Sequence, residues 1–276
     1  MFSFGWFSSG RDRAALDLFV AAHERLASGY IPGRLAFVFC DREPGETAAA
    51  DAFLAAVKAR GVPAVTLSSR ELRQKIQRRD SQVEAAREAF DARVIALLKD
   101  FKVEVVVLAG YMLITSPLLC RTFLLLNLHP ALPGGPKGTW QEVMWQLMEA
   151  DAREAGAMMH LATPELDAGP PVAYFRFSLR SPAFDPLWAA WQEKRRARTL
   201  AAIQAGEGEG EPLFARIRAE ELRREFPLIL LTLKNLAEGR FRLTRQGPAV
   251  QGQIIPTGFD LTPQVEEFLR EQAVSS

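Results

Sequence analysis

The sequence predicts an α/β protein: a three-layer, Rossmann-like, mostly parallel sheet with a C-terminal helical extension. Three observations carry this. The apolar runs Leu35 to Cys40 (LAFVFC) and Val103 to Ala109 (VEVVVLA) are continuous rather than alternating, so they read as strands covered on both faces. Stretches with helical apolar spacing separate such runs, the pattern of parallel strands joined by crossover helices. From Pro186 onward the strand pattern gives way to helices. The expected division is a Rossmann-like domain over residues 1–182 and a helical extension over residues 183–276, packed on that same domain.

Taken in order, Phe2 to Phe7 is a short aromatic strand. It ends at the polar turn Ser8-Ser9-Gly10, and helical spacing begins at Asp12. Such a turn aims backbone N–H groups from a helix N-terminus, a favourable place for a phosphate or carboxylate, and Arg11 and Arg13 could add charge-assisted bonds. Two solvated arginines on a first helical turn are the plainer reading. Leu35 to Cys40 is followed by the turn Asp41 to Gly45, an alanine-rich helix from Thr47 to Arg60 closed by Gly61, and a short strand over Val62 to Leu67. A long helix spans Ser81 to Phe101 and leads into Val103 to Ala109. After a loop and short helix over Leu113 to Cys120 comes a strand from Thr122 to Asn127. A turn-rich loop, Pro130 to Gly138, then precedes Thr139 to Glu142, a T-x-x-E capping box that opens an amphipathic helix. Gly156 to Ala162 and Val172 to Leu179 read as strands flanking the turn Asp167-Ala168-Gly169. Trp188 to Gln204 reads as a helix with the basic patch Lys194-Arg195-Arg196, and Gly206 to Glu211 as a flexible acidic connector. Leu213 to Ala237 is helical, interrupted or kinked near Pro227. Arg240 to Thr244 is a candidate strand and Thr262 to Gln272 a candidate helix.

Bulk composition narrows the classes. With 276 residues and 48% apolar content the chain can bury a sizeable core. The 34 basic and 33 acidic residues nearly cancel, which argues against a broad electrostatic surface for nucleic acid or anionic membrane. The two cysteines, Cys40 and Cys120, lie far apart in or beside apolar runs, which points to a reduced, cytoplasmic chain without a disulfide framework. The N-terminus lacks the basic lead and apolar stretch of a signal peptide, and no apolar run reaches the roughly 20 residues of a membrane span.

The chemistry concentrates at Asn127-Leu128-His129-Pro130, where an amide and an imidazole break an apolar strand, and at the Gly156 to Gly169 segment, which holds His160 and Asp167. Side chains two residues apart on a strand share a face, so Asn127 and His129 can address one substrate. An amide N–H can stabilise a developing oxyanion, an imidazole can move a proton near neutral pH, and a carboxylate can hold an imidazolium. That equipment suits acyl transfer, and no serine or cysteine nucleophile adjoins the histidine. Two other readings stand beside it: a histidine that serves only as a structural hydrogen-bonder, and a metal site using His129, His160 and Asp167. The spacing matches none of the compact zinc patterns.

Asn127-Leu128-His129-Pro130-Ala131-Leu132-Pro133 resembles the N-x-H-P-S-L-L-P motif of the folate-dependent formyltransferase family. Gly156 to His160 together with Glu165 to Pro170 resembles that family's G-x-x-x-H…LDxGP segment. Ala109-Gly110-Tyr111-Met112 resembles its A-G-[FY]-M run, and Arg87 to Asp91 resembles a segment whose arginine lies near the folate. The likeness extends roughly from Phe4 to Gly239 and is greatest to the branch that formylates glycinamide ribonucleotide in purine biosynthesis. It implies the formyltransferase fold, with 10-formyltetrahydrofolate as co-substrate and no metal. Asn127, His129 and Asp167 would be catalytic, and His160 would support the Asp167 loop. Arg87, Tyr111, Met112, Leu113, Ile114 and Thr115 would bind the folate, and Gly10, Arg11, Asp12 and Arg13 the ribonucleotide phosphate. Its partners would be these small molecules, without nucleic acid or membrane, and it would act as a monomer or homodimer.

Departures from the family pattern fall at the acceptor end. Ser9-Gly10-Arg11-Asp12-Arg13-Ala14 stands in place of S-G-x-G-S-N, which loses neutral donors and adds an acidic residue; Ala131 replaces the usual serine, and Leu113 a common arginine. The alternatives are a formyltetrahydrofolate hydrolase, a formyltransferase acting on another amine such as an amino-sugar nucleotide, and a catalytically silent binder of folate or nucleotide.

Overall fold

The computed structural model describes residues 1–275. They form two compact units, each assembled from separate parts of the chain. One comprises residues 1–128, 160–170 and 232–256, and the other residues 129–159, 171–231 and 257 onward.

The first unit holds β1 (Phe2–Ser8), α1 (Arg13–Ala27), β2 (Gly33–Cys40), α2 (Ala48–Ala59), β3 (Ala64–Thr66), α3 (Arg70–Gln77), α4 (Val83–Leu98), β4 (Val105–Leu108), α5 (Pro117–Thr122) and β5 (Leu125–His129), whose last residue falls in the second. Its strands pair in the order β5-β4-β1-β2-β3, all parallel, with Leu108 beside Asn127. The continuous apolar runs are explained by helices on both faces. Trp6 meets Phe19 of α1, which meets Phe53 of α2, whereas Phe7 and Phe39 pack with Tyr111, and Phe39 also with Phe90 of α4. Gly5 interrupts this aromatic strand for a steric reason: a Cβ there would lie 2.4 Å from the Phe37 ring. Helix α3 is absent from the sequence reading, because Leu72 is its one buried apolar anchor and so no periodicity shows. It is held instead by Arg73, which bonds the buried Asp41 and Glu46, each at 3.1 Å.

The second unit begins with α6 (Trp140–Glu149), which opens on the expected capping box of Thr139 and Glu142. β6 (Glu154–Leu161) and β7 (Pro171–Ser178) follow as an antiparallel pair, with Leu179 N–H donating to the Arg153 carbonyl at 2.9 Å. The last two residues of β6 belong to the first unit. The single helix expected over Trp188 to Gln204 is instead two, α7 (Asp185–Ala197) and α8 (Leu200–Gly206), because Arg198 is extended and Thr199 caps a new start. The expected flexible connector is also ordered. Gly208–Gly210 is a turn of 3₁₀ helix, and Lys194 bonds Glu207 at 2.5 Å and Glu211 at 2.9 Å. Glu211 is buried and accepts from Phe214 N–H, so it caps α9 (Pro212–Ala237), which continues through Pro227 without a break.

After α9 the chain forms a small antiparallel sheet in the first unit, β8 (Arg242–Thr244), β9 (Gly247–Val250) and β10 (Gln253–Ile254). β11 (Phe259–Asp260) then pairs parallel with β7 in the second unit, and α10 (Thr262–Ser275) ends the described chain. The C-terminal extension is therefore helical with strands added.

One buried feature of α9 has a pH signature. Glu221 and Glu225 both accept from Nη1 of Arg218, at 2.7 and 2.5 Å, and one Glu221 oxygen is buried without a hydrogen bond. Burial first, then repulsion from Glu225, raise the Glu221 carboxyl from 4.5 to about 8. The folded chain thus holds a proton that the unfolded chain releases. The stability this contributes is complete below about pH 4.5 and is lost as pH rises through about 8. Glu221→Gln retains an acceptor for Arg218 and does not titrate, so its melting temperature should fall less than the parent's between these limits; parallel curves would remove Glu221 as the source.

Candidate active site

The first unit brings Asn127, His160 and Asp167 together. Ala162 N–H donates to the Leu125 carbonyl at 2.8 Å, and Asn127 Nδ2 lies 3.2 Å from His160 Nε2. Moving two residues along each chain in opposite senses connects the two contacts, so the end of β6 runs antiparallel to β5 with Asn127 opposite His160. His160 is buried, and its Nδ1 lies 3.1 Å from the Leu161 carbonyl. A carbonyl only accepts, so in the neutral ring Nδ1 carries the hydrogen and Nε2 receives an N–H from Asn127. This orients the Asn127 amide and leaves its second N–H for a ligand oxygen. Asp167 Oδ1 stands 3.8 Å from the same Nε2. Protonation of Nε2 would exchange its acceptor role toward Asn127 for attraction to Asp167.

The chain returns from β6 through residues 162–170, and the turn that carries Asp167 is sterically demanding. Asp167 has φ +51°, a left-handed conformation that aspartate tolerates better than most residues. Gly169 packs so tightly on β6 that a Cβ would lie 1.6 Å from the Leu161 carbonyl oxygen. The Asp-x-Gly spacing is thus what lets the turn lie against the strand.

A cavity of about 260 Å³ opens beside these three residues and is lined also by Tyr111, Met112, Leu113, Ile114 and Thr115. Residues 111–115 alternate buried and exposed along an irregular segment with a bend at Leu113. Tyr111 and Leu113 point into the core, while Met112 and Ile114 are about half exposed and, with Leu166, form an apolar rim. Both ends of the segment are anchored: Met112 N–H donates to Ser9 Oγ at 3.0 Å, and Ser116 N–H donates to Asp91 Oδ2 at 2.6 Å. The sequence reading passed over Ser9 and Asp91, and also Leu108, Ala162, Thr163 and Leu166, which line the cavity. Ser9, Asp91, Leu108, Ala162 and Leu166 lie within segments quoted above, but what singles each of them out, and Thr163 with them, is its place in the fold.

Arg87 is not among the lining residues. It is buried on α4 and bonds Glu84 at 2.5 Å. His129, two residues beyond Asn127 on β5, belongs to the second unit and is buried. Its Nε2 is 2.9 Å from the Pro136 carbonyl and so donates to it, which ties the imidazole to the following loop.

The Gly10 turn is also defined. Gly10 has φ +52° and donates to Ser8 Oγ at 3.2 Å. Asp12 is the N-cap of α1 and accepts from Ala15 N–H at 3.0 Å, so a carboxylate already occupies the helix start. Arg11 pairs with Asp12 and Arg13 with Asp17, both exposed.

Neither cysteine is an activated nucleophile. Burial raises the Cys40 thiol to about 12 and also raises Cys120. Among the described residues no group of three or more His, Cys, Asp or Glu is placed to hold a metal, and no helix is long and apolar enough to cross a membrane.

Comparison with known proteins gives concordant matches. Residues 17–178, more than half of the chain, match the formyl transferase family. The phosphoribosylglycinamide formyltransferase of Escherichia coli (strain K12) is 29% identical over 173 residues, 62% of this chain and 67% of that protein. Glycinamide ribonucleotide transformylase 1 from Symbiobacterium toebii superposes with a TM-score of 0.57 at 24% identity, over 91% of this chain and 94% of that one. The formyltetrahydrofolate deformylase from Burkholderia mallei does so with a TM-score of 0.55 at 16% identity, over 90% and 69%. At these identities the structural likeness establishes the fold.

The seating of the Asp167 turn can be tested directly. Gly169→Ala forces the turn off β6, so the unfolding free energy in urea should drop by about 1–3 kcal/mol and turnover should fall with it. A variant with parental turnover would show that this seating does not matter to the site.

Proposed function

Because the chain belongs to the formyl transferase family, we propose that this formyltransferase moves a formyl group from 10-formyltetrahydrofolate to the amine of glycinamide ribonucleotide, a step of purine biosynthesis. The observation that carries this reading is the placement of Asn127, His160 and Asp167 at one cavity with the apolar 111–115 segment. An apolar wall with a few convergent polar groups suits a flat, conjugated co-substrate whose reactive end must meet hydrogen-bond donors.

In the proposed reaction the acceptor amine attacks the formyl carbon, a C–N bond forms, and the carbonyl oxygen becomes an oxyanion. The second N–H of Asn127 stabilises that oxygen, with the first held by His160. The amine's proton leaves by way of Asp167, and the bond to the folate nitrogen breaks as that nitrogen gains a proton. His129 takes up a proton through Nδ1, since Nε2 donates its own hydrogen to the Pro136 carbonyl. Two buried cysteines with raised thiol pKa values are consistent with direct transfer and no acyl-enzyme.

The acceptor's phosphate would lie at the Gly10 turn, where Arg11 and Arg13 would exchange their aspartate partners for it. Asp12 at the helix start works against a phosphate, and this favours a second reading in which water is the acceptor and the activity is a hydrolase. Both readings use the same donor pocket. Tetrahydrofolate release measured with and without glycinamide ribonucleotide separates them: dependence on the amine supports transfer, release without any amine supports hydrolysis, and release only with another amine, such as an amino-sugar nucleotide, reassigns the acceptor. No release under any condition would favour the silent binder.

Asn127→Ala should lower turnover by about 10²–10³ and Asp167→Ala by about 10²–10⁴, measured at a temperature where both variants remain folded. A near-normal rate in either variant removes that residue from the mechanism. Arg11→Ala combined with Arg13→Ala should raise the acceptor's KM and leave the donor's KM unchanged; equal acceptor KM values would place the phosphate elsewhere.

A further inference from the structure

The small sheet β8 to β10 touches both walls of the donor cavity from behind. Arg245 lies in the two-residue connection between β8 and β9, where Thr244 pairs with Gly247. Its Nη1 donates to the Cys120 carbonyl at 2.9 Å and its Nη2 to the Arg121 carbonyl. These carbonyls lie in the last turn of α5, and a guanidinium fork suits two successive acceptors at a helix C-terminus. α5 starts directly after Ser116 and so continues the 111–115 wall.

On the other side of the same connection, Gly247 faces Pro170, so that a Cβ on it would lie 3.4 Å from the Pro170 Cβ. Its φ of +123° is open only to glycine without strain. Pro170 follows Gly169, so the β8–β9 connection lies next to the turn that carries Asp167, close enough that a side chain at 247 would press on it. Between the two anchors lies a second cavity of about 190 Å³, lined by Phe123, Leu125, Ala162, Thr163 and Arg245 among others. Ala162 and Thr163 line the first cavity as well. The strip 162–163 is therefore a partition, and the sheet behind it spans from one wall to the other.

We infer that Arg245 is a positioning residue, a clasp from the C-terminal sheet that ties the end of α5 to the 162–170 crossover and so sets the spacing of the two donor-pocket walls. This rests on reading the cavity as the formyl-donor site. Arg245 is exposed, and α5 keeps its other supports when the clasp is removed: the Ser116 cap, the Asp91 bond and the fully buried Leu119. Loss of the clasp should thus loosen the pocket rather than unfold the chain.

The test uses the full chain with Arg245→Ala, Arg245→Lys and Gly247→Val. For Arg245→Ala the KM for 10-formyltetrahydrofolate should rise about tenfold, equivalent to about 1.4 kcal/mol. At saturation kcat should stay within about twofold of the parent, since the reacting groups are untouched. Amide hydrogen exchange should quicken in residues 116–123 and 162–170 and not in α1 or α2. Added guanidinium at low concentration should restore KM in Arg245→Ala alone, because the vacated position is open to solvent. Arg245→Lys should fall between parent and alanine, and Gly247→Val should quicken exchange in 162–170. Unchanged KM and exchange in Arg245→Ala would overturn the proposal, as would a fall in kcat and melting temperature together without a KM change. Should the parent neither bind nor turn over the donor, the functional reading fails, and the exchange pattern still decides whether the clasp exists.

Discussion

An amide and an imidazole lie against each other in a wall of otherwise apolar strands, and much of the first unit is arranged around that contact. The buried His160 needs a polar partner, because an unpaired polar group taken out of water costs on the order of 1–3 kcal/mol. Each supplies what the other lacks: Nε2 of the neutral ring accepts, and the amide donates. The pairing requires the end of β6 to run antiparallel to β5. That requires the chain to turn back immediately beyond β6, and the turn can close only because Gly169 admits the Leu161 carbonyl where any side chain would collide. Asp167 arrives beside His160 as a consequence of the same geometry.

The opposite wall is fixed by a different device. Residues 111–115 form no strand or helix, so no backbone ladder holds them. Ser9 and Asp91 supply the missing partners at the two ends, one from the close of β1 and the other from α4. Between those anchors the alternation of buried Tyr111 and Leu113 with exposed Met112 and Ile114 seats the segment on the core and presents an apolar edge. Both walls are therefore positioned by specific hydrogen bonds between distant parts of the chain, an arrangement that keeps a site in register without adding bulk.

The C-terminal portion does more than extend the fold. The Lys194, Glu207 and Glu211 cluster turns a glycine- and glutamate-rich stretch into an ordered corner, with Glu211 capping α9. The little sheet that follows α9 places Arg245 on α5 and Gly247 opposite Pro170. At the Gly10 turn the balance is different. Asp12 satisfies the first turn of α1 with its own carboxylate, and the neighbouring arginines are paired to aspartates. The cavity beside Asn127 and the Gly10 turn are thus prepared to different degrees.

The alternating pattern of strands and helices, the capping box at Thr139 and the two segments that bring Asn127, His160 and Asp167 together were all legible in the amino-acid sequence. Each depends on local periodicity or on motifs a few residues long, and such signals survive without knowledge of what lies across the fold. The family membership was legible for the same reason. Helix α3 was not, because ion pairs to Asp41 and Glu46 replace an apolar stripe. Nor was the order in Gly206 to Glu211, where composition suggests a flexible linker and the counter-charges come from an earlier helix. Which histidine nitrogen faces Asn127, which residues anchor the 111–115 segment, and what the chain beyond Arg240 does were decided by tertiary structure alone. Those properties rest on contacts between residues far apart in the chain, such as Ser9 with Met112 and Arg245 with Cys120, and one-dimensional spacing carries no record of them.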